Sequence, residues 1–71
     1  MASLKSVFEF DTHEVIVANQ DIYIDGKQAV HLARPYRTAF WHPQGVLVDN
    51  VLYAYTDLLR IVNDAEEGVD D

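Results

Sequence analysis

The sequence predicts an α+β domain, a small antiparallel β-meander of four or five short strands with one long C-terminal helix packed on one face. Residues 5–33 hold short alternating or β-branched apolar runs separated by turn residues, which is typical of strands. Residues 46–62 repeat apolar side chains at helical gaps. The chain has 71 residues, enough for one domain. We assign residues 1–65 to this domain and expect residues 66–71 to be an acidic, disordered tail.

The first half of the chain predicts strands joined by tight turns. Residues 5–11 alternate in polarity, residues 14–18 contain a β-branched run, and residues 22–24 alternate again. Polar residues around Asp11 and Asn19 separate these runs. We therefore expect three short strands here.

Asp25-Gly26 is a strong hairpin signal, because a type I′ turn needs positive φ at both central residues. The return strand would cover residues 27–33. A short helix is the alternative, since Asp25 and Gln28 have capping-box spacing and Pro35 would stop the helix.

Pro35 keeps residues 34–37 out of the middle of a sheet, because proline donates no ladder hydrogen bond. Residues 38–41 can form one more short strand. Residues 42–45, His-Pro-Gln-Gly, are typical of a turn.

The predicted helix covers residues 46–62, and Asp49 and Asn50 are expected to cap its start. A short strand at Val46–Val48 is the alternative for its beginning. One apolar row contains Val48, Val51, Leu52, Tyr55, Leu58, Leu59 and Val62, and a second contains Leu47, Val51, Ala54, Leu58 and Ile61.

The two rows cover roughly half of the helix circumference, more than the stripe of about 100° that an ordinary surface helix needs. One face of a small sheet would cover only part of this arc. We therefore predict a homodimer, with Leu47, Ala54, Leu58 and Ile61 at the contact.

Composition narrows the possible functions. The formal net charge is −7, and residues 43–71 hold seven acids and one arginine, a local charge of −6. This acidity argues against non-specific binding to nucleic acid or anionic membranes, and leaves a basic partner open. No apolar run approaches the roughly 18 residues of a membrane span, and residues 1–5 lack a signal-peptide stretch. We expect a cytoplasmic protein with no membrane segment.

No catalytic or ligand motif stands out. The chain has no cysteine, which excludes disulfides and thiolate metal sites and suits a reducing compartment. His13, His31 and His42 do not have the short spacing of metal ligands. The three glycines are isolated, so no phosphate-binding loop is present. We predict no enzyme, no metal and no cofactor.

Residues 34–42 interleave cations with aromatic side chains, a mixture typical of protein interfaces. We predict a non-enzymatic module that binds and modulates or inhibits a partner protein. The predicted binding residues are Arg34, Tyr36, Arg37 and Trp41, with Tyr53 and Asp57 from the helix. The alternative is a small nucleic-acid-binding regulator, since such segments also stack bases and contact phosphates.

A second candidate surface is an acidic face comprising Asp49, Asp57, Asp64, Glu66 and Glu67. Such a face can be simply solvated, or it can imitate a nucleic-acid backbone in a basic groove. In size, acidity and lack of cysteine, the chain resembles the inhibitors and accessory proteins that bacterial viruses encode. This resemblance is one of size and charge, not of motif.

Overall fold

A computed structural model describes the backbone of residues 5–68 and the side chains of residues 5–65. It confirms the α+β class, with two antiparallel sheets and one C-terminal helix. The elements are β1 (Lys5–Phe10), β2 (His13–Ala18), β3 (Asp21–Ile24), β4 (Lys27–His31), β5 (Ala39–His42), β6 (Gly45–Val48), β7 (Val51–Ala54) and α1 (Tyr55–Gly68). No helix within this range is long and apolar enough to cross a membrane.

The first four strands form a meander in the order β1-β2-β3-β4. Two-residue turns join them, and Asp11, Asn19 and Asp25 each have positive φ. Gly26 follows with φ 81°, so the Asp25-Gly26 turn is confirmed. Residues 27–31 form the return strand β4, and the short-helix alternative is wrong. Pairing with β3 gives this edge strand ladder hydrogen bonds and a place for Val30 against the core.

The predicted start of the helix is wrong. Residues 45–54 form the hairpin β6–β7, and the helix begins at Tyr55. Asp49 and Asn50 do not cap a helix, because they form the two-residue turn of this hairpin with φ of 51° and 68°. The alternative strand at Val46–Val48 lies within β6, so seven strands replace the four or five expected.

The inward faces of both sheets and one side of α1 form a single core. Val15 and Val17 of β2, Ile22 and Ile24 of β3, Val46 and Val48 of β6, and Leu58 and Val62 of α1 are buried, together with Phe10 and Tyr36. The helix packs on β3, β4, β6 and β7. Its first backbone N–H, from Tyr55, donates to the Gln44 carbonyl at 2.9 Å, which satisfies one of the free donors at a helix start.

The predicted acidic tail overlaps the end of the helix. The backbone of α1 continues through residues 66–68, while residues 69–71 and the side chains from residue 66 onwards lie outside the described part of the chain.

Candidate protein-binding surface

The segment between the two sheets, residues 32–38, is irregular but fixed in place. The Leu32 N–H donates to the Gln20 carbonyl at 2.6 Å, and the Gln20 amide donates back to the Leu32 carbonyl at 3.2 Å. Further along, the Tyr36 N–H donates to the Asn19 carbonyl at 3.1 Å. The segment is therefore attached to the β2–β3 turn at two points.

Asp49 fixes the end of the same segment from the β6–β7 turn. Its Oδ1 accepts hydrogen bonds from the backbone N–H groups of Arg37 and Thr38, both at 2.9 Å. The bond from Thr38, followed by that from Arg37, lowers the pKa of the Asp49 carboxyl. The Thr38 hydroxyl donates to the same oxygen at 3.4 Å. Asp49 is thus a positioning residue for the segment, because its carboxylate holds the backbone of Arg37 and Thr38 in place.

An open groove of about 600 Å³ lies between this segment and the β6–β7 hairpin. It is lined by Arg34, Pro35, Arg37, Thr38, Asp49, Asn50 and Val51. Both arginines are exposed, and Val51 is 52% exposed. Among residues 5–65, no carboxylate forms an ion pair with either guanidinium. The structure therefore brings Arg34 and Arg37 together at one groove beside an exposed aliphatic side chain.

Tyr36 does not share this surface. Its side chain is buried in the core, and its hydroxyl lies 3.1 Å from the Ser6 hydroxyl. Its neighbours on both sides are exposed, so Tyr36 anchors the segment that presents the two arginines. A partner could not reach its ring, and its predicted role as a contact residue is wrong.

Trp41 is exposed at the edge of the small sheet and stacks on Phe10, with ring centroids 5.9 Å apart. Phe10 also stacks with Tyr55, with centroids 5.4 Å apart. Of the remaining predicted contact residues, Tyr53 is half-buried beside Arg34 and Val51, in a smaller hollow of about 140 Å³.

Asp57 lies away from the groove, in the first turn of α1. It is exposed and forms an ion pair with Arg60 at 2.9 Å. The predicted acidic face is also dispersed, since Asp49 belongs to a turn and the side chains of Glu66 and Glu67 lie outside the described residues. Of the acidic face, Asp57 and Asp64 are the two members whose side chains are described on α1.

The residues predicted for a dimer contact fall on two surfaces. Leu58 is buried in the core, so its predicted place in a dimer contact is wrong. Ile61 is partly exposed on the helix, on neither sheet. Leu47 and Ala54 are half-buried on the outer face of the three-stranded sheet.

That outer face is apolar. Phe40, Leu47 and Leu52 lie opposite one another across β5, β6 and β7, and Phe40 and Leu52 are exposed. The outward positions of the three strands are Phe40, His42, Gly45, Leu47, Leu52 and Ala54, and none is an acid, lysine or arginine.

Each of the three histidines contacts a different residue. His13 contacts Asp25 and His31 contacts Asp21, each at 2.7 Å, while the His42 ring accepts the Gln44 N–H at 3.0 Å. No group of three or more metal-ligating side chains occurs in the described part of the chain.

Val51 and Phe40 are exposed residues that the sequence did not single out for binding. Helical spacing placed Val51 on an apolar row of the predicted helix, and no role was assigned to Phe40 within residues 34–42. The Asp49-Asn50 pair between two apolar runs was the signal for a hairpin, since both residue types tolerate positive φ. Comparisons with protein-family models, curated proteins and solved structures find no match for this chain.

Proposed function

We propose that this chain is a non-enzymatic protein-binding module whose partner occupies the groove at Arg34, Arg37 and Val51. The supporting observation is the pair of exposed guanidinium groups that have no ion pair among residues 5–65, on a segment fixed by backbone hydrogen bonds. The module modulates or inhibits that partner by binding to it and catalyses no reaction itself. Its setting is the cytoplasm, which suits a chain without cysteine.

Charge indicates what the partner presents. A guanidinium binds a carboxylate through two parallel hydrogen bonds, and Arg is common at interface hot spots. Asp49 also lines the groove, where its carboxylate accepts from two backbone N–H groups and forms no ion pair with either arginine. A partner that places carboxylates on Arg34 and Arg37 and an apolar side chain on Val51 fits both chemical features.

Pre-ordering of the groove favours binding. The segment is held through Leu32, Tyr36 and Asp49, so ordering it on binding requires little further loss of conformational entropy. The groove is open rather than enclosed, which suits a protruding loop or chain end better than a buried small molecule.

Affinity capture from a lysate of the native host tests this proposal. The immobilised wild-type chain is compared with Arg34→Ala/Arg37→Ala, and retained proteins are identified by mass spectrometry. We expect the double variant to lose a retained protein by tenfold or more, equivalent to about 1.4 kcal/mol. Arg60→Ala is the control, because Arg60 is an exposed arginine outside the groove.

A charge-preserving variant sharpens the result. Arg34→Lys/Arg37→Lys keeps both charges but removes the two-pronged donor geometry, so we expect it to bind between wild type and the alanine variant. Equal capture by all four chains would contradict the proposal. Unfolding of the alanine variant, with normal binding by its folded fraction, would show that the two arginines are structural.

Exposed Phe40 and Trp41 support nucleic-acid binding as the second candidate function, because aromatic faces can stack bases. Titration of labelled single- and double-stranded DNA at low and moderate salt separates the two. Salt-sensitive binding that requires Arg34 and Arg37 would favour the nucleic-acid function.

Self-association as a homodimer is also part of the proposal. Of the residues expected at its contact, Leu58 lies in the core, whereas Leu47, Ala54 and Ile61 keep exposed surface.

A further inference from the structure

Strand β1 is an edge of the four-stranded sheet, and β2 is the one strand paired with it in the described chain. Unpaired edges offer a row of backbone donors and acceptors to another strand. This edge is six residues long, against four or five for the other edge strands β4, β5 and β7.

The hydrogen-bond pattern shows which backbone groups of β1 are available. The Asp25 N–H donates to the Glu14 carbonyl at 2.9 Å, so Glu14 directs its backbone groups toward β3. Because these directions alternate in an antiparallel ladder, Val15 and Val17 bond to β1, where they face Phe8 and Ser6. Lys5, Val7 and Glu9 therefore direct their N–H and C=O groups away from the sheet.

The same three residues have exposed side chains on the outer face, and Val7 is 49% exposed. Glu9 lies directly opposite Glu14, and like charges at such positions are destabilising. Lys5 is at the other end of the strand and pairs with no acid among residues 5–65. The edge thus carries Lys5, which pairs with no acid among residues 5–65, and Glu9, which Glu14 repels. Each lies two residues from Val7.

We infer that a second copy of this chain pairs with the β1 edge, antiparallel, about a two-fold axis at Val7. Lys5 then faces the second copy's Glu9, and Val7 faces the second copy's Val7. All the outward N–H and C=O groups of Lys5, Val7 and Glu9 find partners. The second copy's Lys5 then also lies beside Glu9 and Glu14, where its positive charge offsets the repulsion between the two carboxylates.

Symmetry selects this register. Antiparallel self-pairing can match outward residues in several ways, but within the described strand, residues 5–10, registers centred nearer Lys5 or Glu9 leave outward backbone groups unpaired. Those centred on Lys5 or Glu9 also oppose like charges. Among the registers possible for residues 5–10, the one about Val7 uses all three outward residues and pairs both charges. An unrelated strand would need the same spacing of charges to fit this edge equally well. The inference specifies the contact of the proposed homodimer and does not depend on the groove.

Pairing would also join two apolar rows. Val7, Ile16 and Tyr23 lie opposite one another across β1, β2 and β3 on the outer face. In the dimer, the row continues into the second copy's Val7, Ile16 and Tyr23. The other edges lack this complementarity, since a register shift distorts the β3–β4 pairing, and β5 and β7 contain no acid, lysine or arginine.

Charge reversal tests the contact by sedimentation velocity over a concentration series. We expect Lys5→Glu and Glu9→Lys each to raise the dimer dissociation constant about tenfold or more, because each opposes like charges twice per dimer. The double variant Lys5→Glu/Glu9→Lys restores complementarity at unchanged net charge. We expect it to return within about threefold of wild type.

Two controls separate the dimer from the fold. Glu9→Lys places an opposite charge beside Glu14, so it should preserve or raise the stability of the folded monomer while weakening the dimer. Asp64→Lys makes the same charge change on the exposed side of α1 and should leave the dimer unchanged.

Amide hydrogen exchange gives a residue-level readout. We expect the Val7 and Glu9 amides to gain protection with protein concentration, while Ser6 and Phe8 stay protected throughout by β2. A chain that remains monomeric at high micromolar concentration would overturn both the homodimer and this contact. A dimer that is insensitive to both single reversals would overturn the contact alone.

Discussion

Leu58 and Ile61 are three residues apart on α1, yet they have different environments. Leu58 is 1% exposed in the core, whereas Ile61 is 40% exposed. Truncating each side chain to alanine measures how much each one contributes to the free energy of unfolding. Helical periodicity alone placed both at a dimer contact, so the comparison also tests the corrected role of Leu58.

The magnitude follows from burial. Leu58→Ala removes a buried side chain and leaves a cavity, which lowers the free energy of unfolding by about 2–5 kcal/mol. Ile61→Ala removes a side chain that is already partly in water, so we expect a loss of about 1 kcal/mol. A domain of this length has a total stability of roughly 4–10 kcal/mol. Leu58→Ala therefore removes a large fraction of it.

Urea denaturation followed by far-UV circular dichroism and Trp41 fluorescence is the assay. With an m-value of about 1 kcal/mol/M, Leu58→Ala should lower the midpoint by about 2 M or more, and Ile61→Ala by about 1 M. Leu58→Val is a milder variant for the case in which alanine leaves the chain unfolded. Equal losses for Leu58→Ala and Ile61→Ala, measured at low protein concentration, would refute the packing of α1 described above.

Two further predictions concern the turns and strands. A Cβ at Gly45 would collide with the Tyr53 carbonyl oxygen and lie 2.7 Å from the Ala54 Cα, so Gly45→Ala should lower stability by about 1–3 kcal/mol in urea denaturation. An unchanged midpoint would contradict the close approach of β6 and β7. The hydrogen bond from the His13 ring, followed by that from the Glu14 N–H, lowers the pKa of Asp25. Its stabilising effect is present above the unfolded value near 3.8 and is lost as the pH falls through the lower folded value. Asp25→Asn should therefore flatten the acid side of the stability–pH curve, and an unchanged slope would contradict this role.

The sequence determined the local structure wherever one residue type restricts the backbone. Asp25-Gly26 predicted a turn, because few residue pairs tolerate positive φ at both positions, and the structure has it there. Pro35 predicted that residues 34–37 lie outside the middle of a sheet, and they belong to no strand. The alternation of residues 5–11 predicted a strand, which is present as β1, and the helical gaps between Tyr55, Leu58 and Val62 predicted a helix, which is present as α1.

Periodicity could not distinguish a hairpin from a helix at residues 46–54. Val48 and Val51 face each other across the β6–β7 turn, and a two-residue turn separates such partners by three positions. That gap is also one of the helical gaps, so the pattern fitted both structures. Pairing with β5 decided in favour of the hairpin, because it gives β6 a second set of ladder hydrogen bonds. Spacing rules that use neighbouring residues alone do not include such a pairing.

Tertiary structure alone decided what the cationic aromatic segment exposes. Arg34, Tyr36 and Arg37 are neighbours in sequence and equally plausible contacts, but Tyr36 enters the core and the arginines do not. Hydrogen bonds from the segment to Asn19 and Asp49, distant in sequence, fix this division. The residue types identified residues 34–42 as a segment suited to binding. The packing of the Tyr36 ring, whose hydroxyl lies beside that of Ser6, determined that Arg34 and Arg37, and not Tyr36, can reach a partner.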